Sequence, residues 1–358
     1  MRGLYRYLSP FASDQSGASS VLYGLGGMIV ILDAGGCAGN ICGFDEPRWF
    51  TEPAAIYSAG MRDLDAILGR DERTIEKIQK AVETVEAKFI ALIGTPVPSV
   101  VGTDLKALGR MCEKRCGVPS FAIDTTGMKD YDVGEEKAYR ILLGLLKTGK
   151  IASADGSGEI GILGATPLDL LSDNSADLLR DRISEKEGAP AVCFTMQEGL
   201  EGVGKMTSVD KNYVVSPAGL RPARYLKKVF GIPYEVGLCF PAMAKSSPLA
   251  KAEGKTLILH QQILANSLRE SMEAGCTGAS QIDVGSFFMM DETYLRSGDF
   301  ALHSEPELMR KAAEYDTVLC DPVYQRALKE IPGQLIPLPH FAVSGELGQS
   351  AREEEFFA

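Results

Sequence analysis

The chain has 358 residues, 45% of them hydrophobic and 24% charged, which are globular values that exclude disordered, collagen-like and coiled-coil chains. Its 37 Lys and Arg against 48 Asp and Glu leave a net charge of −11, which disfavours nucleic-acid binding, where a basic stripe is the rule. Residues 1–10 lack the apolar run of a secretory signal, and the longest apolar runs are too short for a bilayer, so a cytoplasmic protein without membrane association is expected.

In chain order, residues 28–32, 89–93 and 120–123 read as buried strands, each ending in Gly, Asp or Thr. Between the first two, Ile75, Ile78, Val82, Val85 and Phe89 recur at helical spacing. Residues 103–116 read as a helix opened by Thr103 or Asp104 and stopped by Gly117 and Pro119, and 134–146 as another. A Gly-, Ser- and Ala-rich linker at 147–158 follows. The pattern then restarts with strands at 159–164, 191–195 and 212–215, a helix at 217–230 and a strand at 234–240. It restarts again at Gly254, with strands at 256–259, 281–284 and 317–320 and helices at 262–274 and 305–315. Alternating strands and helices imply parallel sheets covered on both faces. The expectation is an α/β chain of three Rossmann-like parallel-sheet units in series. They span 1–150, 151–250 and 251–358, and the acidic, aromatic segment 353–357 forms a docking tail.

Nucleotide and hydrolase motifs fail on inspection. Gly254-Lys255-Thr256 lacks the earlier glycine of a phosphate loop, whose place is taken by Leu249, and a strand rather than a helix follows it. Gly24-Leu25-Gly26-Gly27 precedes a strand, whereas a dinucleotide fingerprint opens a helix. No Gly-x-Ser-x-Gly elbow follows a strand.

Eight cysteines without a secretory signal suit a reducing compartment, and with only His260, His303 and His340 any metal chemistry should run through thiolate. The informative stretch is 32–50, at the carboxyl end of the first strand. There Gly35, Gly36, Gly39 and Gly43 let the backbone approach a bulky group and turn N–H groups toward it. Cys37 and Cys42, five apart in this turn, can face one site; they can equally be small residues packing a tight turn. Cys112 and Cys116 lie at i and i+4 of a helix, where packing ranks ahead of ligation. Cys193 and Cys320 lie in apolar strands and belong to the core. Cys239 and Cys276 fit strand-end packing better than a cleft. His260 ends a strand and His340 follows the last one, so both are candidates for proton delivery, or simply bond to loop backbone. His303 lies in a polar loop.

With these residues in view, the chain resembles the nitrogenase component 1 superfamily. That group includes nitrogenase catalytic subunits, their cofactor-scaffold relatives, and the protochlorophyllide, chlorin and nickel-tetrapyrrole reductases. Asp14-Gln15-Ser16-Gly17-Ala18 is similar to the family's Cys-x-x-Gly-Ala, and Ala34-Gly35-Gly36-Cys37 to its Gly-Pro-x-Gly-Cys turn. The stretch from Ile93 to Leu105, then Val118-Pro119 with Thr125-Thr126-Gly127-Met128, and the strand from Glu159 to Gly164 continue the series in order. Departures are as informative. The first ligand position holds Asp14, the third holds Pro96, and only Cys37 survives as thiolate, with Cys42 added.

The resemblance implies an oxidoreductase component. An eight-iron cluster does not suit this ligand set. A [4Fe–4S] cluster shared across a subunit interface does, with two thiolates from each chain and Asp14 as a weaker oxygen ligand. It implies a homodimer, or a heterodimer with a paralogous subunit. It also implies an ATP-dependent iron–sulfur reductase partner and a small-molecule or tetrapyrrole substrate; the partner is expected to dock against an exposed face near Asp45–Arg48. The rival readings are a non-catalytic scaffold or carrier for a metallocofactor and a ligand-binding sensor with structural cysteines.

Overall fold

In the computed structural model the described residues are 5–52, 54–62, 69, 71–171, 175–196, 198–241, 243–275 and 277–345. The tail 353–357 and Cys276 lie outside them.

The first sheet combines β1 (Met28–Ile31), β2 (Ala55–Ser58), β3 (Ile90–Ile93) and β4 (Ser120–Ile123). Its order is β2-β1-β3-β4 and all its pairings are parallel, with Met28 opposite both Ala55 and Ile90. β1 and β3 are buried at every position, the reason they read as unbroken apolar runs. Around them run α1 (Asp14–Leu22), α2 (Gly36–Asn40), α3 (Asp71–Val82), α4 (Pro96–Val101), α5 (Leu105–Cys116) and α6 (Tyr131–Lys147). Met28, Val30, Ile90 and Leu92 form one core with Ile75 and Ile78 of α3 and Leu108 and Cys112 of α5. Asp104 caps α5 by accepting the Ala107 N–H at 2.9 Å, and Gly117 ends it in the left-handed region at φ 68°.

α1 was not legible as a helix. All nine of its residues are buried, so no polar face marks its period. Its place depends on two glycines: a methyl group at Gly17 would overlap the Tyr131 carbonyl oxygen, and one at Gly134 that of Asp14. α1 and α6 therefore cross backbone to backbone.

The second sheet holds β5 (Ile160–Leu163), β6 (Ala191–Cys193), β7 (Lys211–Val214) and β8 (Tyr234–Val236) in the order β6-β5-β7-β8. With it come α7 (Ser175–Glu187), α8 (Gly199–Gly204) and α9 (Leu220–Phe230). The third holds β9 (Glu253–Leu259), β10 (Gly278–Ser286), β11 (Phe300–Ala301), β12 (Thr317–Cys320) and β13 (Gln334–Pro337) in the order β11-β10-β9-β12-β13, all parallel, with α10 (Gln262–Ala274) and α11 (Glu305–Ala312). The protein is thus an α/β fold of three parallel Rossmann-like sheets.

By contacts the chain divides into two compact units. One comprises 12–157 and 193–209 and carries the first sheet; the other comprises 1–11, 158–192 and 210–358 and carries most of the other two. Residues 193–209 rejoin the first unit through the 3.0 Å bond between the Tyr139 and Thr195 hydroxyls and the Ala154 N–H donated to Gly204.

Candidate functional site

In an order such as β2-β1-β3-β4, connections leave β1 and β3 in opposite directions, opening a crevice at their carboxyl ends. The glycine- and cysteine-bearing turn leaves β1 at that point. Thr95, after β3, donates its hydroxyl to the Leu32 carbonyl at 2.7 Å and ties the two strand ends together.

Asp33 organises the turn. It is buried; one oxygen accepts the Ala38 N–H at 2.8 Å and the other the Ser58 hydroxyl at 2.6 Å, so it fixes α2 and the end of β2. Gly35 precedes α2 at φ 120°, a backbone that side-chain-bearing residues avoid. α2 then opens into a wide π-turn, Ile41–Asp45, closed by the Glu46 N–H donated to the Ile41 carbonyl at 2.9 Å. Such turns recur at functional sites. Asp45 accepts the Ser16 hydroxyl at 2.6 Å and the Asn40 amide at 2.7 Å, and burial raises its carboxyl.

Beyond it, Arg48 forms a two-pronged ion pair with Glu46 at 2.7 Å on each prong, donates to the Ser20 carbonyl at 2.8 Å and lies over the Tyr23 ring. Glu46 and Arg48 are 2% and 8% exposed. The docking face expected near Asp45–Arg48 is therefore not made by these charges, because they are spent inside. Phe44 and Phe50, 67% and 76% exposed, present the surface there instead.

Cys37 and Cys42 are both half-buried, on α2 and the π-turn, with free thiols. Burial and then the Glu46 carboxylate raise the Cys42 thiol. Gly35, Gly36, Gly39 and Gly43 are exposed, and a methyl group on any of them would meet open space. Nothing in the turn's own packing requires glycine at the last three; the room they leave suits a group or chain brought against the turn.

Asp14 sits at the start of α1. Its carboxylate is fully buried and accepts the Thr126 N–H at 2.9 Å and the Gly127 N–H at 2.7 Å. Desolvation raises its carboxyl while those two bonds pull the other way. Its visible work is to hold the loop after β4. Next to it, Gln15 was missed at the sequence level. Its buried side-chain oxygen has no hydrogen-bond partner. Its only sequence signal was its place between Asp14 and Ser16 in the motif. Pro96, at the third motif position, is the first residue of α4.

No cluster of three or more His, Cys, Asp or Glu able to hold a metal forms among the described residues. One chain brings two thiols to the turn, so the donor set fits a sulfur-liganded cluster only as half of a site.

The candidate histidines belong to the other unit. His260 and His340 are 2% and 1% exposed and stack with centroids 3.9 Å apart. His260 Nε2 lies 3.1 Å from the Pro339 carbonyl and its Nδ1 accepts the Gln261 N–H. Burial pushes His260 down to about 3 and His340 well below the usual range. They fold as a neutral, backbone-bound pair, and neither reaches solvent. His303 is exposed. Cys112 is buried with its sulfur 4.0 Å from that of Cys116, and Cys193 and Cys320 are core.

No curated protein matches the chain. Among solved structures it is similar to one described as "Nitrogenase Cp1 at pH 5", at 15% identity and a TM-score of 0.67, over 97% of this chain and 86% of that one. It is likewise similar to "Nitrogenase Cp1 at pH 6.5", at 14% identity and a TM-score of 0.66, over 97% and 87%. At such identities the likeness carries the fold alone. The family assignment comes from residues 13–240, which match the model described as nitrogenase component 1 type oxidoreductase and include every element of the cysteine turn. The chain belongs to the nitrogenase component 1 type oxidoreductase family.

Proposed function

We propose that the chain is the catalytic component of a nitrogenase-like reductase. A separate ATP-dependent iron–sulfur reductase would supply the electrons, Cys37 and Cys42 would hold an interfacial [4Fe–4S] cluster that carries them, and the substrate would be a small molecule or tetrapyrrole. The observation that carries this reading is the turn itself: two half-buried thiols at the reversal of strand order, bordered by glycines whose side-chain space is open. Cys37 and Cys42 would hold the cluster with the same two residues of a second copy or paralogue, and when bound it supplies one-electron transfer.

The rest is done by this chain's own side chains. Asp33 fixes the first residues of the turn, Ser16 and Asn40 hold Asp45 at its end, and the Glu46–Arg48 pair anchors it to α1. Phe44 in the π-turn beside Cys42, Val100 and Val101 at the end of α4, and Met128 after β4 are exposed apolar residues on segments that follow the carboxyl ends of β1, β3 and β4. Covered by a second subunit, they would exclude water from the thiols. Asp14 is assigned to positioning the loop after β4, since a ligand role would compete with its two backbone bonds. Proton delivery by His260 or His340 would require the core to open around them.

The test is iron and sulfide content after anaerobic purification. Cys37→Ser should remove most iron and Cys42→Ser nearly as much, while Cys112→Ser and Cys193→Ser leave it unchanged. Full iron in Cys37→Ser would overturn the assignment. Multiple turnover with the reductase partner, against single loading and release, separates catalysis from a carrier role.

A further inference from the structure

Cys239 plays no part in that reading, yet the fold treats it unusually. It is the one non-glycine residue with positive φ among the described residues, at 54°, and Gly237 just before it stands at 139°. Glycine adopts such backbone freely, whereas cysteine is strained there and stays only if its surroundings hold it. Leu238 between them does the holding: its side chain is buried and its N–H donates to the Ser267 hydroxyl at 3.0 Å. The strained residue sets its thiol on the wall of a cleft of about 250 Å³, lined also by Lys186, Tyr213, Glu235 and Glu270. Lys186, near the end of α7, donates to the Cys239 sulfur at 3.8 Å and to Glu235 at 2.6 Å.

We propose that Cys239 and Lys186 form a redox-responsive pair, in which a small hydroperoxide entering the cleft oxidises the thiol and the lysine amine captures the sulfur. The Cys239 thiolate attacks one oxygen of the hydroperoxide. The O–O bond breaks, the sulfur loses two electrons to the peroxide, and the departing alkoxide or hydroxide leaves as alcohol or water with a proton from the Lys186 ammonium. Lys186 is thereby left as a neutral amine beside a sulfenic acid. Its nitrogen attacks the sulfur, the S–O bond breaks, and the oxygen leaves as water with a proton from nitrogen. The product is an S–N bond joining α7 to the segment after β8, reversible by a small thiol. Burial, helped by the Glu235 carboxylate, raises the Cys239 thiol, and the Lys186 ammonium offsets that only in part; Lys186 therefore favours the small thiolate fraction that reacts and then closes the bond.

Peptide mapping of the full chain after hydrogen peroxide treatment tests this. The wild type should yield a Cys239–Lys186 cross-linked peptide lighter by two hydrogens than the sum of its parts, and dithiothreitol should restore the free thiol. Lys186→Gln, at a half-exposed side chain that leaves the core untouched, should give no cross-link and accumulate Cys239 sulfinic acid instead. If wild type and Lys186→Gln yield the same Cys239 products at the same rate, the pair is a surface ion pair beside a bystander thiol and the proposal fails.

Discussion

His260 and His340 show how far a residue's chemistry is set by what covers it. Below the ordinary histidine value of about 6.5 the unfolded chain takes up protons that the buried pair refuses. The pair's contribution is therefore complete above that value. It is lost as pH falls, down to about 3 for His260. The loss approaches about 1.4 kcal/mol per pH unit for each histidine. Urea unfolding at pH 7 and pH 5 should show a larger drop for the wild type than for His340→Phe; equal drops would assign the acid sensitivity elsewhere. Asp14 makes a similar point. Both its oxygens accept backbone N–H groups of a loop more than a hundred residues away, so Asp14→Ala should cost about 2–4 kcal/mol. Iron content in that variant should stay near wild type, provided the folded fraction is compared. A loss of iron matching that of Cys37→Ser would instead mark Asp14 as a ligand.

Helix α1 is the element that holds the site together and the one that pattern reading overlooked. Ser16 and Ser20 on it receive the cysteine turn through Asp45 and Arg48, and its close crossing with α6 depends on Gly17 and Gly134. A side chain at Gly134 must push two backbones apart, so Gly134→Ala should cost about 3 kcal/mol or more, read as a fall in the denaturation midpoint. Gly144 faces open space on the same helix, and Gly144→Ala should be neutral or slightly stabilising, since alanine is the better helix former. Equal effects at the two positions would refute the close crossing. By contrast, α5 was legible to its last turn, because its Asp104 cap and Gly117 stop act on neighbours in sequence.

For the whole molecule the proposed site is complete only in an assembly of two chains. Phe44 in the π-turn, Val100 on α4 and Met128 after β4 leave 67%, 81% and 74% of their surface exposed, an apolar surface that a lone subunit gains nothing by displaying. Sedimentation should show a dimer. Phe44→Asp and Val100→Asp should yield folded monomers with the iron lost and the thermal midpoint little changed. A wild-type monomer that retains iron would contradict the shared site.

The amino-acid order alone determined what local forces decide. The buried strands are apolar runs and the helix ends carry their own caps and stops. The three sheets take their strands from the chain in sequence order, β1–β4, then β5–β8, then β9–β13. The cysteine turn and the motif series were readable for the same reason, since their glycines and thiols are close in sequence. Tertiary structure alone decided the strand order that puts the turn at a crevice and the burial of the Glu46–Arg48 pair. It also decided the stacking of His260 on His340 and the approach of Lys186 to Cys239. Each of these depends on desolvation or on contacts between distant segments. Residue spacing carries no record of which groups will lose their water or meet across a core.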